Sequence, residues 1–259
     1  MTNALSRLFW ALALPVVLLL VWWFASAGSQ NFFFPPLAAI LSTFRDTWIS
    51  SKIVDDVLPS LARLLFGYVA AAVIGIVLGI PIGLSPRLRA YVEPVLEFLR
   101  AIPPPVLVPV LILFAGIGTS MKVLVIISGC IWPILLNTIE GVRGLDEELA
   151  NITRSYRFTS RGRLLHFVLP GASPLIFAGL RQALSIGIIL MVISEMFAAS
   201  NGIGFTIIQF QRSFAIPEMW SGIILLSLVG FVLSVLLGLL ERRVLHWYFG
   251  LRAAQRGNS

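Results

Sequence analysis

The stretch GLDEELANITRSYRFTSRGRLLHFVLPGASPLIFAGLR, residues 144–181, is the longest polar interruption in an otherwise strongly apolar chain. Apolar runs flank it on both sides, and 58% of the 259 residues are apolar while only 12% are charged. With a mean hydropathy of +0.94, water cannot be the solvent for most of this surface. The sequence therefore predicts an integral membrane protein that presents residues 144–181 as a soluble segment.

Apolar runs predict six membrane-spanning helices in one all-α domain. The spans are placed at residues 9–27, 64–84, 95–115, 121–137, 173–197 and 219–240, with a cytoplasmic loop at 139–172. A signal peptide is the alternative for the first run, because Ala25, Ser26 and Ala27 form a cleavage pattern of small residues. A retained span is preferred, since the run is long and carries Trp22 and Trp23 near its end. Residues 37–48 are interpreted as an amphipathic helix at the outer interface or as a structured loop.

Basic residues set the orientation of these spans. Twelve fall in predicted inner segments and five in outer ones, so both termini and the polar loop are expected in the cytoplasm. The inner residues are Arg7, Arg87, Arg89, Arg143, Arg154, Arg157, Arg161, Arg163, Arg242, Arg243, Arg252 and Arg256. The outer residues are Arg45, Lys52, Arg63, Lys122 and Arg212. This bias explains the net charge of +7 without a nucleic-acid partner.

A strip of small residues runs along the second predicted span. Gly75, Gly79 and Gly83 continue the four-residue spacing that begins at Gly67 and Ala71. Small residues let another helix approach closely, which matters in lipid because packing must drive helix association. The strip is predicted to contact protein, at the solute pathway or at a dimer interface.

Two further features are candidates for the same pathway or interface. Pro103 and Pro104 lie in the run Ile-Pro-Pro-Pro, which removes amide donors and excludes a regular helix. Irregular backbone at membrane depth survives only beside protein or a water-filled cavity, although a loop between an interfacial helix and a span is the alternative. Glu195, followed by Met196, is the one acidic residue deep in a predicted span. Its alternatives are a functional residue and a structural carboxyl bonded to a neighbouring helix.

Within the polar segment, Leu145, Leu149, Ile152 and Tyr156 are spaced four, three and four residues apart. This spacing predicts a short amphipathic helix with one apolar stripe. The acidic residues 146–148 suit its N-terminal end, and Arg154 suits its C-terminal end. Either the membrane domain itself or a docking partner must cover the stripe.

Several motifs resemble the EAA-loop family of ABC importer permeases, in its nitrate, sulfonate and taurine subgroup. In the polar segment these are Leu169-Pro170 and the following Pro174 and Gly179-Leu180-Arg181. Elsewhere they are Phe34-Pro35-Pro36, Arg100-Ala101-Ile102-Pro103-Pro104, Phe114-Ala115-Gly116-Ile117-Gly118, Asn201-Gly202-Ile203-Gly204 and Leu240-Glu241-Arg242-Arg243. The resemblance covers almost the whole chain.

The chain departs from this family in the EAA motif itself. Counting back from Pro170 places Asn151 at the family's glutamate, Ile152 and Thr153 at its alanines, and Arg157 at its glycine. It is therefore open whether this chain makes the contacts of the family's glutamate and the turn of the family's glycine. Glu148, one turn earlier on the same face, is the candidate for the missing acidic contact.

The resemblance implies a six-helix type I ABC importer permease in a bacterial inner membrane. It implies a homodimer that works with two ATP-binding subunits, which hold ATP and Mg²⁺, and with an extracytoplasmic substrate-binding protein. The residues expected to couple the permease to ATP hydrolysis are Leu145, Glu148, Leu149, Asn151, Ile152, Thr153, Arg154, Tyr156, Arg157, Leu169 and Pro170. A small anion such as a sulfonate, taurine or nitrate is the expected solute.

Other classes of function have weaker support in the sequence. No phosphate-binding G-x-x-x-x-G-K-[ST] loop occurs, so no ATP hydrolysis is expected in this chain. An ion-coupled secondary transporter would need ionisable residues at the bilayer midplane, where Glu195 alone is available. His166 and His246 are far apart in sequence and lack the spacing of a metal site, so neither a metal site nor an embedded enzyme is expected.

Overall fold

The computed structural model describes residues 2–197, 199–248 and 250, with side chains from residue 13 onward. The described residues form eleven α-helices and no strands, which confirms the predicted all-α class. The helices are α1 Thr2–Ser26, α2 Leu37–Trp48, α3 Leu58–Leu84, α4 Pro86–Arg100, α5 Leu107–Ala115, α6 Thr119–Arg143, α7 Glu147–Ser155, α8 Ser160–Arg163, α9 Leu169–Phe197, α10 Ile203–Arg212 and α11 Ile216–Val244. Short turns of tighter or wider helix precede α3 (Ile53–Val57), α5 (Pro104–Val106) and α9 (Leu164–Val168).

Four continuous helical segments in the described chain are long and apolar enough to cross a membrane. They are Ile53–Leu84, Thr119–Arg143, Ser160–Phe197 and Ile216–Val244. A bent pair, Pro86–Arg100 with Pro104–Ala115, counts as a fifth if it forms one broken span. Helix α1 carries the first predicted span, and the part with described side chains, Ala13–Ser26, is apolar.

The third predicted span, residues 95–115, is not one continuous helix. Helix α4 ends at Arg100, and α5 leaves at an angle of 79°. The prolines at 103–105 cause the break because they cannot donate backbone hydrogen bonds. The predicted loop at residues 85–94 is wrong, since α4 begins at Pro86. There the Ser85 side chain caps the helix by accepting a hydrogen bond from the Leu88 amide, 3.2 Å away.

Helix α6 lies between α3 and α9 and forms the centre of the bundle. The small-residue strip of α3 packs against α6 of the same chain. A Cβ on Gly75 would lie 2.9 Å from Ile134, and one on Gly79 would lie 2.7 Å from Thr138. Gly83 likewise faces Val142 of α6. The prediction that these three glycines face a pathway or a second copy is therefore wrong, because α6 occupies that face.

Helices α2 and α10 cover the end of the bundle opposite to residues 144–168, which we call the outer end because the charge pattern of the sequence assigns it to the outside. The predicted amphipathic helix at residues 37–48 is confirmed, and its buried Trp48 indole donates to the Ser221 hydroxyl of α11 at 2.9 Å. Trp48 also packs edge-on against Phe210 of α10. The predicted outer loop between the last two spans thus contains a helix that is anchored to its neighbours.

Two helix boundaries differ from those expected around the polar segment. Helix α6 continues past residue 137 to Arg143, and α9 begins at Leu169 rather than at residue 173. Leu169 and Pro170 consequently begin α9 directly after the wider turn Leu164–Val168, within the continuous helical segment Ser160–Phe197. The segment between these helices carries α7 and α8.

Candidate functional site

Helix α7 begins where the acidic residues predicted it would. The Asp146 carboxylate accepts hydrogen bonds from the amides of Glu148 and Leu149, at 2.7 and 3.2 Å, and so caps the helix. Glu147 and Glu148 lie in the first turn, where negative charge favours the helix dipole. The cap fixes the direction in which α7 leaves the bundle.

Helix α7 ends in a turn that usually contains a glycine, but Arg157 occupies the glycine position in this chain. The Arg157 amide donates to Arg154 O at 2.9 Å, and the Phe158 amide donates to Thr153 O at 3.0 Å. Together these bonds make a Schellman motif, which requires a left-handed residue at its centre. Arg157 adopts that conformation with φ of +53°. The chain therefore forms the left-handed turn expected at the family's glycine, but this conformation is sterically unfavourable for Arg157.

The apolar stripe of α7 is divided between the bundle and the surface. Leu145 packs inward against Gly171 and the cluster formed by Val142 and Val168. Leu149, Ile152 and Tyr156 are 51%, 49% and 77% exposed. We call these last three residues the coupling stripe. The membrane domain covers only the start of the predicted apolar face.

The remaining candidate residues of the segment surround the coupling stripe. Glu148 and Asn151 are exposed, and Asn151 accepts a hydrogen bond from Arg154 at 3.0 Å. Thr153 is the buried residue of α7, and its hydroxyl donates to Ala150 O at 2.7 Å. Beside the stripe, a groove of about 620 Å³ is lined by Leu145, Asp146, Leu149, His166, Pro170 and Trp247. Leu169 lies half-buried next to this groove in the first turn of α9.

A second concentration of polar groups lies at the outer end of the bundle. Here Arg63 Nη1 of α3 donates to Glu195 Oε1 of α9 at 2.7 Å, and the Ser60 hydroxyl lies at the same distance from this carboxylate. Arg63 also donates to the side chain and the carbonyl of Asn201. Asp56 accepts from the Gly202 amide at 2.9 Å. We call Asp56, Ser60, Arg63, Glu195 and Asn201 the outer ionic cluster.

The start of α10 completes this cluster. The Gly204 amide donates to Glu195 Oε2 at 3.0 Å, so the carboxylate lies at the positive end of the α10 dipole. Gly202 has φ of +122°, and a Cβ there would lie 2.5 Å from the Glu195 carboxyl carbon. Glycine is therefore required, both for the backbone conformation and for the close approach.

Two basic residues that the sequence assigns to the outer side lie inside the bundle. Arg63 and Lys122 are only 5% and 3% exposed, within electrostatic range of Glu195. Both residues belong to helices of the core, Arg63 to α3 and Lys122 to α6. Glu195 itself is fully buried, and the ion pair compensates the cost of burying its charge.

The other candidate pathway residues are exposed or partly buried. Met196 is 36% exposed beside Glu195, and Pro103 is exposed at the break between α4 and α5. Pro104 packs close to Gly129 of α6. Within the described chain, none of these three residues forms a hydrogen bond or an ion pair with the outer ionic cluster. The candidates therefore mark separate places in the fold.

Sequence reasoning missed most of the outer ionic cluster. Asp56, Ser60 and Arg63 are spaced four and three residues apart, which is the spacing of one helix face. This spacing, just before an apolar run, could have indicated that the three polar side chains point into the bundle. Glu195 was a candidate from the sequence, but it lies more than a hundred residues away, and no local signal indicated that these residues are its partners.

Comparison with known proteins places this architecture in one family. Residues 71–246 match the family model described as "Binding-protein-dependent transport system inner membrane component". The match covers about half of α3 and the whole of α4 to α11, and so includes the coupling stripe. The chain belongs to this family of transport permeases, and it is a transporter component rather than an enzyme.

Named relatives narrow the class to ABC importer permeases. The chain is 33% identical to the taurine transport system permease protein TauC of Escherichia coli (strain K12), over 73% of this chain and 69% of TauC. It is 31% identical to the nitrate import permease protein NrtB of Leptolyngbya laminosa, over 78% of this chain and 72% of NrtB. The predicted family resemblance is confirmed.

A solved structure supports the fold independently. The chain matches a chain from an inward-facing structure of the MetNI methionine ABC transporter with a TM-score of 0.59, over 73% of this chain and 94% of that chain. Sequence identity between them is 19%, so this likeness concerns the fold alone. The predicted permease fold is confirmed, and the chain is a multi-pass membrane protein.

Proposed function

We propose that this chain forms the solute pathway of an ATP-driven importer of small anions. In this proposal two copies form a homodimer, which works with two ATP-binding subunits and an extracytoplasmic substrate-binding protein. ATP and Mg²⁺ bind to the partner subunits. Closure of the ATPase pair moves α7, and the bundle alternates between inward-open and outward-open states.

The exposed coupling stripe is the observation that carries this proposal. Leu149, Ile152 and Tyr156 form an apolar surface on a capped helix that projects from the bundle. Exposed apolar patches framed by polar residues are typical of protein-binding sites. Helix-in-groove docking uses anchors at this three- and four-residue spacing. An ATP-binding subunit with an apolar groove is the partner that fits a permease of this family.

The proposed orientation follows from the same segment. Docking to an ATPase requires the coupling stripe to face the cytoplasm, which agrees with the excess of arginine in the segments assigned to that side. Both chain termini then lie in the cytoplasm of a bacterial inner membrane. The outer ionic cluster faces the substrate-binding protein.

The nature of the solute is supported by the relatives. TauC and NrtB are named for taurine and nitrate, which both carry an oxyanion group. The chain lacks a cluster of unpaired ionisable groups within its described spans that would couple transport to an ion gradient, since Glu195 is paired with Arg63. Selection among small anions is assigned mainly to the substrate-binding protein.

Co-purification tests the docking surface directly. An ATP-binding subunit encoded with this chain is expected to co-purify with it, and Ile152→Glu is expected to reduce its recovery at least tenfold, because a charge in an apolar contact is costly to desolvate. The matched control is Ile117→Glu, which changes an equally apolar and 76% exposed residue at the outer turn. Equal recovery with both variants would contradict the assigned docking surface.

A further inference from the structure

Side-chain amides and a hydroxyl lie together on one face of α6 and α9. Gln182 and Ser185 are exposed on α9, and Asn137 is partly exposed on the adjacent face of α6. Asn137 Nδ2 donates to Pro133 O at 2.8 Å and lies 3.4 Å from Gln182 Oε1. We call Asn137, Gln182 and Ser185 the amide strip.

The amide strip has hydrogen-bonding capacity to spare. Within the described chain, the Gln182 amide nitrogen and the Ser185 hydroxyl form no hydrogen bond. Ser128, Thr138 and Ser194, by contrast, each donate to a backbone carbonyl of their own helix. Two donors therefore remain available on this face for a molecule outside the chain.

The amide strip lies at membrane depth. At 1.5 Å per residue, Ser185 and Gln182 are about 18 and 22 Å from Phe197 at the outer end of α9. Asn137 is about 27 Å from Thr119 at the outer end of α6. All three positions fall within a hydrocarbon layer of about 30 Å, where an exposed amide is costly unless it meets water or protein.

The proline break lies beside the amide strip. Ile186, the neighbour of Ser185, and Pro104 both approach Gly129 of α6. Because the prolines at 103–105 donate no backbone hydrogen bonds, carbonyl groups in the preceding turn lose their helical partners. Such groups are tolerated at membrane depth beside protein or a water-filled cavity. The break and the strip lie on the same side of the bundle, where a water-filled cavity would satisfy the polar groups of both.

We infer that the amide strip lines the solute pathway and supplies neutral hydrogen-bond donors to a small oxyanion. This inference rests on the proposed function and names residues that act in it. Amide and hydroxyl groups donate to nitrate or sulfonate oxygens without forming an ion pair, which lets the anion leave again. The adjacent Arg181 is bonded to Glu241 of α11, so its charge is already compensated.

Cysteine accessibility in the reconstituted transporter tests whether the strip faces water. In a Cys130→Ala background, Ser185→Cys is compared with Ser227→Cys, whose position on α11 is about 16 Å from the outer helix end by the same rise. Ser227 is exposed and bonds only to Ile223 of its own helix. The probe is an anionic, water-soluble methanethiosulfonate, applied without nucleotide and with ATP plus vanadate. This labelling requires no transport, so it remains decisive if the proposed import activity fails.

The expected result is at least tenfold faster modification of Ser185→Cys than of Ser227→Cys in one of the two states. Equally slow modification in both states would overturn the inference and indicate that lipid or the second copy covers the strip. For the donor role, Gln182→Leu is expected to reduce uptake of taurine or nitrate at least fivefold, with Gln182→Asn retaining most of it. Unchanged uptake by Gln182→Leu, in a wild-type complex that transports the anion, would refute the donor role.

Discussion

Arg63 and Glu195 form an ion pair in the interior of the bundle, with Arg63 Nη1 2.7 Å from Glu195 Oε1. The two side chains are almost completely buried, and they join α3 to α9 across 132 residues of sequence. Ser60 and the Gly204 amide satisfy further lone pairs of the carboxylate. A single carboxylate therefore holds α3, α9 and the start of α10 together at the outer end.

Removing one member of this pair is expected to destabilise the protein strongly. Glu195→Ala or Arg63→Ala leaves an uncompensated buried charge, at a cost of about 3–5 kcal/mol. Replacing both by apolar residues, Arg63→Met with Glu195→Leu, is expected to recover part of this loss. Thermal unfolding of the purified chain measures each effect.

The matched control is the ion pair between Arg100 and Glu97, whose side chains are about half exposed. Arg100→Ala is expected to cost less than about 1 kcal/mol, because solvent screens surface pairs. Similar losses for Arg63→Ala and Arg100→Ala would contradict the structural role of the buried pair.

Packing between α3 and α6 makes a second prediction. Gly79→Leu is expected to prevent close contact of the two helices, since even a Cβ would lie 2.7 Å from Thr138 Cβ. Overpacking of this kind costs about 1–3 kcal/mol or more. Gly238→Leu in α11 introduces the same side chain where no atom lies within 4 Å. A loss of folded protein with Gly238→Leu as large as that with Gly79→Leu would count against this packing.

The turn after α7 predicts an unusual gain of stability. Arg157→Gly is expected to stabilise the segment by about 1 kcal/mol, because the left-handed conformation is strained for arginine. Arg154→Gly, at a helical position, is expected to lose about 1 kcal/mol. The rate of limited proteolysis between α7 and α8 reports both effects. Faster cleavage of Arg157→Gly than of the wild type would refute the strained turn.

The acidic contact of the coupling segment can be assigned by two substitutions. If Glu148 replaces the family's glutamate, Glu148→Ala is expected to reduce transport-coupled ATPase activity at least fivefold. Asn151→Ala, which removes a side chain that accepts from Arg154, is expected to have a smaller effect. ATPase stimulation by the substrate-binding protein is the measurement. Intact coupling in Glu148→Ala together with lost coupling in Asn151→Ala would reverse the assignment.

Local patterns predicted the parts of the fold that depend on local physics. Apolar length predicted the segments around α3, α6, α9 and α11, and charge placement predicted the capped start of α7 at Asp146. The contacts of the glycine strip depended on which helix is adjacent, and that information is not local. The strip indicated close packing correctly, but it could not identify α6 of the same chain as the partner.

Charges near span ends were the main source of error. Arg63 and Lys122 lie close to the ends of apolar runs, where loop residues and inward-facing residues have the same composition. Only the tertiary structure, which buries both side chains and pairs Arg63 with Glu195, separates the two cases. The prolines likewise indicated a break after Arg100. They did not indicate helix α4 before that break, which begins at the Ser85 cap.

Solute uptake into proteoliposomes tests the central claim most directly. The chain is reconstituted alone, with its ATP-binding subunits, and with those subunits carrying a substitution that blocks ATP hydrolysis, each with the substrate-binding protein and labelled taurine or nitrate. Uptake is predicted only for the complex that hydrolyses ATP, and Ile152→Glu is predicted to abolish it while Ile117→Glu retains it. Uptake by the chain alone, driven by an ion gradient without ATP, would contradict the account.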